Sequence, residues 1–204
     1  MKYIVTPNGK FIGRQKAWAK MDPPIDPYNP LGLPANTIRV KFKSGYTPTQ
    51  GDSRTLVDAE NNVWDIYKSG NDWSDLFMSC SNLLEVLGAN TTGVTIMCRM
   101  LNSCSALTTV PVFDTSDVND MLAMFYRDTS LTAVPLFNTS SITEGNSDMS
   151  YMFGNCVNVQ SGALALYQQV SANPPYFYSY MFKNCGSNTV NGAAELAQIP
   201  DGWK

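Results

Sequence analysis

Leu107-Thr-Thr-Val-Pro-Val-Phe-Asp-Thr-Ser116 returns 24 positions later as Leu131-Thr-Ala-Val-Pro-Leu-Phe-Asn-Thr-Ser140, and the reading of this pair decides the fold. Working outward from it, a pair of apolar residues followed after three positions by cysteine recurs along the chain. The copies are Leu76-Phe77 with Cys80, Met100-Leu101 with Cys104, Met124-Phe125 with Asp128, Met152-Phe153 with Cys156, and Met181-Phe182 with Cys185. The second apolar residue, taken here as the anchor of each unit, lies at 77, 101, 125, 153 and 182, giving spacings of 24, 24, 28 and 29. Self-similarity at such a period marks a repeat protein, in which one unit cannot bury its apolar face alone.

Other columns keep the same register. Four positions before the anchor stand Trp73, Met97, Met121, Met149 and Tyr178, so each unit has apolar residues at i, i+3 and i+4, the spacing of one helix face. Six after the anchor come Leu83, Leu107, Leu131 and Val159, and nine after it Val86, Val110 and Val134. Each unit thus reads as a short helix, a corner and a strand of the form Leu-x-x-Val-x-Leu. The expected fold is an α/β repeat, a short leucine-rich-repeat-like solenoid of about five helix–strand units spanning 73–186. Pro111 and Pro135 cannot donate to a ladder and belong at a strand end or bend.

The flanks differ from the repeats. Residues 1–35 carry Pro23, Pro24, Pro27, Pro30 and Pro34 and read as an extended docking arm, with at most a small hairpin around Pro7-Asn8-Gly9. Its aromatic and apolar-faced residues Tyr3, Phe11, Trp18 and Tyr28 are the candidates for docking. Residues 36–72 read as a β-rich cap: Thr37-Ile38-Arg39-Val40-Lys41-Phe42 alternates apolar with basic residues, and Thr55–Asp58 and Asn62–Tyr67 are further strands. Residues 187–204 read as a C-terminal cap, and Ser161–Val170 as helical.

Composition narrows the function. The 204 residues contain no histidine, which removes the commonest general base and metal ligand, and with it Ser-His-Asp and Cys-His catalysis. The net charge is −3 with no Lys/Arg cluster, against a nucleic-acid partner. No run reaches the length of a membrane span, so membrane insertion is not expected, and the N-terminus lacks a signal-peptide core. The acidic groups Asp114/Asp117/Asp120 and Asp58/Glu60 match no calcium loop and read as solvated turns. The cysteine column reads as small buried residues rather than a zinc site or disulfide ladder. The expectation is a non-enzymatic binding protein with neither cofactor nor metal.

The repeats resemble the BspA-like class of leucine-rich repeats, found in bacterial surface proteins and in phages and prophages of gut Bacteroidales. The resemblance rests on Leu107 through Phe125 and on Met149-Ser-Tyr-Met-Phe-Gly-Asn-Cys156, and extends over roughly 73–186. The chain departs from it in a four-residue insertion at 143–148 and in losing the strand motif after Cys156. The resemblance implies a scaffold for adhesion or partner binding and no catalytic residue.

These readings converge on a virion head or tail decoration or fibre component on the particle surface. Its arm would contact other virion proteins, and its repeats would hold a host or mucosal surface protein or glycan, with a homo-oligomer possible. The alternative is a BspA-like adhesin on the bacterial cell surface. Candidate ligand contacts are Thr109, Pro111, Thr115, Ala133, Pro135 and Thr139 on the repeated strand motif and Thr-Ser column, and Tyr176 and Phe177 in the aromatic cluster near the array's end.

Overall fold

The alternation of Thr37–Phe42 does make a strand, and it becomes the organising one. A computed structural model describes residues 26–143 and 145–204 in full, and the backbone of 3–5 and 11–14. Strands β1 (Tyr3–Val5) and β2 (Phe11–Arg14) pair antiparallel, Tyr3 opposite Arg14. Next come β3 (Thr37–Phe42), β4 (Ser53–Asp58), β5 (Val63–Tyr67) and β6 (Leu83–Asn90), in one antiparallel sheet of order β4-β5-β3-β6. In β3, Ile38, Val40 and Phe42 are buried, while Arg39 and Lys41 on the other face reach Asp65 at 2.6 Å and Glu85 at 3.3 Å. Pairing across the strands thus matches charge on the wet face and apolar surface on the dry one.

The expected solenoid of five helix–strand units is not what the chain forms. Among the described residues, regular structure consists mainly of the four-stranded antiparallel sheet and two helices, α1 (Ala163–Ser171) and α2 (Val190–Gln198), both after the last strand motif. Of the repeated strand motifs only the first becomes a strand, β6, and it pairs antiparallel with β3. In the next two copies Pro111 and Pro135 remove a donor, and pairing shrinks to single parallel bridges, Glu85 with Thr109 and Ala133 with Ser161.

The expected helices fail for a visible backbone reason. Two residues in every unit, at positions −2 and +2 from the anchor, have positive φ: Asp75 and Ser79, Arg99 and Ser103, Ala123 and Arg127, Tyr151 and Asn155, Tyr180 and Asn184. A residue in the left-handed region cannot continue a right-handed helix. The segment becomes a run of tight turns instead. Leu76 N–H donates to Trp73 O and Met78 N–H to Asp75 O within the run, while Trp73, Asp75, Phe77 and Ser79 donate to Ile96, Cys98, Met100 and Asn102 of the next unit. The same alternation recurs in the second, third and fourth units. In the fifth, Phe182 N–H donates to the Trp203 carbonyl at 2.8 Å.

The apolar spacing, misleading about backbone, is faithful about burial. Met97, Met100 and Leu101 are fully buried, as are Met121, Met124 and Phe125, and Met149, Met152 and Phe153. Phe125 and Phe153 stack at 4.9 Å, Phe153 and Phe182 at 6.3 Å, and each ring so buried contributes about 1.5–3 kcal/mol. The core continues into the sheet where Phe42 meets Phe77 at 6.3 Å.

Near the N-terminus β1 and β2 pair antiparallel, and residues 26–35 form turns ahead of β3. Leu33 is buried, its carbonyl accepts from Asn90 Nδ2 at 2.8 Å, and Gly88 leaves the space that the Leu31 side chain fills. No helix among the described residues is long and apolar enough to cross a membrane.

Candidate functional site

The repeated Thr-x-Val-Pro segments place four of the expected ligand contacts together. Thr109, Pro111, Ala133 and Pro135 line one recess of about 300 Å³. Its floor is knitted by Thr108, whose N–H donates to Leu84 O at 2.9 Å, and by Thr132, whose N–H donates to Thr108 O at 3.2 Å. Pro135 is itself buried, so the recess offers chiefly the exposed Thr109 and Ala133 with the edge of Pro111.

Thr115 does not belong with them. It is fully buried, and its hydroxyl donates to Asn138 O at 2.6 Å, as the Thr91 hydroxyl does to Asp114 O. These hydroxyls join neighbouring units and face no solvent. Thr139 is half-buried, its hydroxyl accepting from Gln169 Nε2 at 2.8 Å, and it shares an open groove with Tyr28, Leu136 and Asn173. Tyr28, expected to dock elsewhere, therefore sits against the repeats. Of the other docking candidates, Tyr3 and Phe11 are described as backbone only, and Trp18 lies outside the described residues.

Tyr176 and Phe177 stand apart in exposure, at 60% and 55%, with rings perpendicular and centroids 4.5 Å apart. They wall a groove of about 350 Å³ whose polar lining comes from Asn119, Asp120, Asn146 and Asp148. The placement follows from the repeat. Position −5 from the anchor is Asp72, Ile96, Asp120, Asp148 and Phe177, and these five are joined in sequence by parallel bridges. One oxygen of each aspartate is committed to its own turn: Asp120 Oδ1 accepts from Leu122 N–H at 3.0 Å and Asp148 Oδ1 from Ser150 N–H at 2.7 Å. The insertion before Asp148 brings exposed Gly145 and Asn146 over the groove. Ser147 pins it from beneath, donating to Thr143 O at 2.5 Å and accepting from Tyr176 N–H at 3.2 Å.

Burial raises the Asp120 carboxyl above its ordinary range, the Leu122 N–H opposes this, and the charges of Asp148 and Asp72 add to the rise. The groove therefore combines aromatic surface, amides and carboxylates, the set that holds polyhydroxylated ligands by stacking and directed hydrogen bonds. Sequence reading singled out the aromatics and missed Asn119, Asn146 and Asp148, and it took Asp120 for a solvated turn. The −5 column carried the signal, being acidic in three of five units.

A scan of known families matches residues 71–193, well over half of the chain, to the family described as Mycoplasma protein of unknown function, DUF285. The chain belongs to DUF285. The DUF285 segment begins at the first turn run and ends within α2, so it contains the whole aromatic groove and excludes β3, β4 and β5. It nearly coincides with the 73–186 stretch whose repeats resemble BspA-like surface proteins, and agrees with that resemblance at family level. No curated protein and no solved structure matches the chain.

Proposed function

We propose that this DUF285 chain is a non-catalytic binding module that attaches the particle or cell bearing it to a host or mucosal surface, taking a surface glycan in the Tyr176–Phe177 groove. The exposed aromatic pair carries the reading. Two large apolar side chains left more than half in solvent beside a polar cleft offer a sugar one face to stack on and several groups to direct its hydroxyls. The BspA-like character of the repeats supports a surface setting. The virion of a phage of gut Bacteroidales, with residues 1–35 contacting other virion proteins, is the setting argued from the sequence, and the bacterial cell surface is its alternative.

The test is a glycan array with the full chain, followed by calorimetry on the best ligand. Tyr176→Ala and Phe177→Ala should each weaken binding about tenfold, the worth of one stacked ring, with the fold unchanged by circular dichroism. Unaltered affinity in both variants, or an array without a hit, overturns the reading.

A further inference from the structure

A second surface lies on the outer side of the turn runs. In the third unit Tyr126 follows the anchor, and in the fourth and fifth Tyr151 and Tyr180 stand two positions before it; the three rings meet in a row. Tyr126 and Tyr151 meet edge to face at 5.8 Å, and Tyr151 and Tyr180 lie 5.2 Å apart, tilted by 33°. Small residues make the room. Ala123 leaves a recess of about 310 Å³ against Tyr126 and Tyr151, and a Cβ on Gly154 would come within 2.9 Å of the Tyr126 ring.

Two cations flank the row. The Arg127 guanidinium lies 5.1 Å from the Tyr126 ring centre and the Lys183 ammonium 4.8 Å from that of Tyr180. Among the described residues neither forms an ion pair, whereas Arg99, one unit above, grips Asp75 through two bonds of 2.7 and 2.9 Å. No Asp or Glu occurs in 122–127, 150–155 or 179–184. In a chain of net charge −3, this strip carries positive charge only, while the acidic column of Asp120 and Asp148 lies at the other edge of the turn runs.

We infer that this face binds a linear anionic polysaccharide, its acidic groups on Arg127 and Lys183 and its sugar rings packed against the Tyr126–Tyr151–Tyr180 cluster. Charge complementarity selects the class of polymer, the strip offering two cations and no carboxylate. An acidic peptide would satisfy the cations and leave the tyrosine cluster without sugar rings to pack against. The site shares no residue with the Tyr176–Phe177 groove, so either one can fail without the other.

The experiment measures binding of the full chain to polygalacturonate, to neutral dextran and to poly-glutamate, at low and high salt. Polygalacturonate should bind, dextran should not, and salt should weaken the complex. The Arg127→Gln/Lys183→Gln double variant should lose about tenfold in affinity, as should the exposed-ring variant Tyr180→Ala, while Tyr176→Ala leaves it unchanged. Both altered positions are on the surface, so circular dichroism should show a native fold. Absence of polygalacturonate binding, undiminished binding by the double variant, or equal affinity for poly-glutamate overturns the assignment.

Discussion

At the scale of single residues, Asp128 is the anomaly of the core. It occupies the column of Cys80, Cys104, Cys156 and Cys185, is fully buried, and accepts from Cys104 N–H at 2.7 Å through one oxygen. Its other oxygen has no partner among the described residues. In neighbouring units the thiol fills that role as a donor, Cys104 Sγ to Phe77 O at 3.0 Å and Cys156 Sγ to Phe125 O at 2.9 Å. Burial pushes the Asp128 carboxyl well above its ordinary value, against the pull of the Cys104 N–H. The folded chain therefore retains a proton that the unfolded chain releases above about pH 4, and this group's contribution to stability falls as pH rises from there to its raised folded value. Asp128→Cys should stabilise the protein at neutral pH by about 1–3 kcal/mol, the cost of an unsatisfied buried group. Urea denaturation across pH provides the check: the gap between variant and wild type should shrink toward acid pH, and a constant gap would contradict the account.

At the scale of elements, α2 shows packing overruling propensity. Thr189 caps it, its hydroxyl accepting from Gly192 N–H at 3.0 Å, and Gly192 lies inside the first turn. In an exposed helix Gly→Ala stabilises by about 1 kcal/mol. Here a Cβ would run into the Val159 carbonyl and come within 2.6 Å of Gly186 Cα, so Gly192→Ala should lower stability by about 1–3 kcal/mol, read as a drop in melting temperature. The same contest explains what was legible in the sequence. Alternation in Thr37–Phe42 specifies a strand because one face is wet and the other dry, and α1 falls within two residues of the stretch read as helical. The i, i+3, i+4 pattern of the repeats identified the buried residues and misjudged their backbone, because turns with positive φ bring the same three side chains inward. Nothing in the composition of Ala123, Arg127, Tyr151 or Tyr180 announces a left-handed conformation; glycine or asparagine there would have. For the groove, Tyr176 and Phe177 are legible as part of the aromatic cluster near the array's end, while Asp120 is hidden by its reading as a solvated turn and Asp148 by its place at the end of the insertion.

At the scale of the whole molecule, one apolar core runs from the sheet through all five turn runs to the C-terminus. Trp203 closes it, stacked on Tyr178 at 4.1 Å and edge-on to Tyr167 at 5.4 Å. Trp203→Ala should cost about 3–5 kcal/mol and still give a single unfolding transition by both fluorescence and circular dichroism, since no boundary interrupts the core. A separate early transition confined to the last unit would show that the end frays independently. The hydrogen bonds between units have a consequence of their own. In the first four units the N–H groups at positions −4, −2, 0 and +2 donate to the following unit, and in the last four the carbonyls at −5, −3, −1 and +1 accept from the preceding one. The peptide groups between these positions are therefore aligned as they are along a helix, in four parallel files. Their partial charges sum to a macrodipole with its positive pole at the fifth unit, the end that carries Tyr180 and Lys183, so the backbone itself draws anions toward the cationic edge of the tyrosine face.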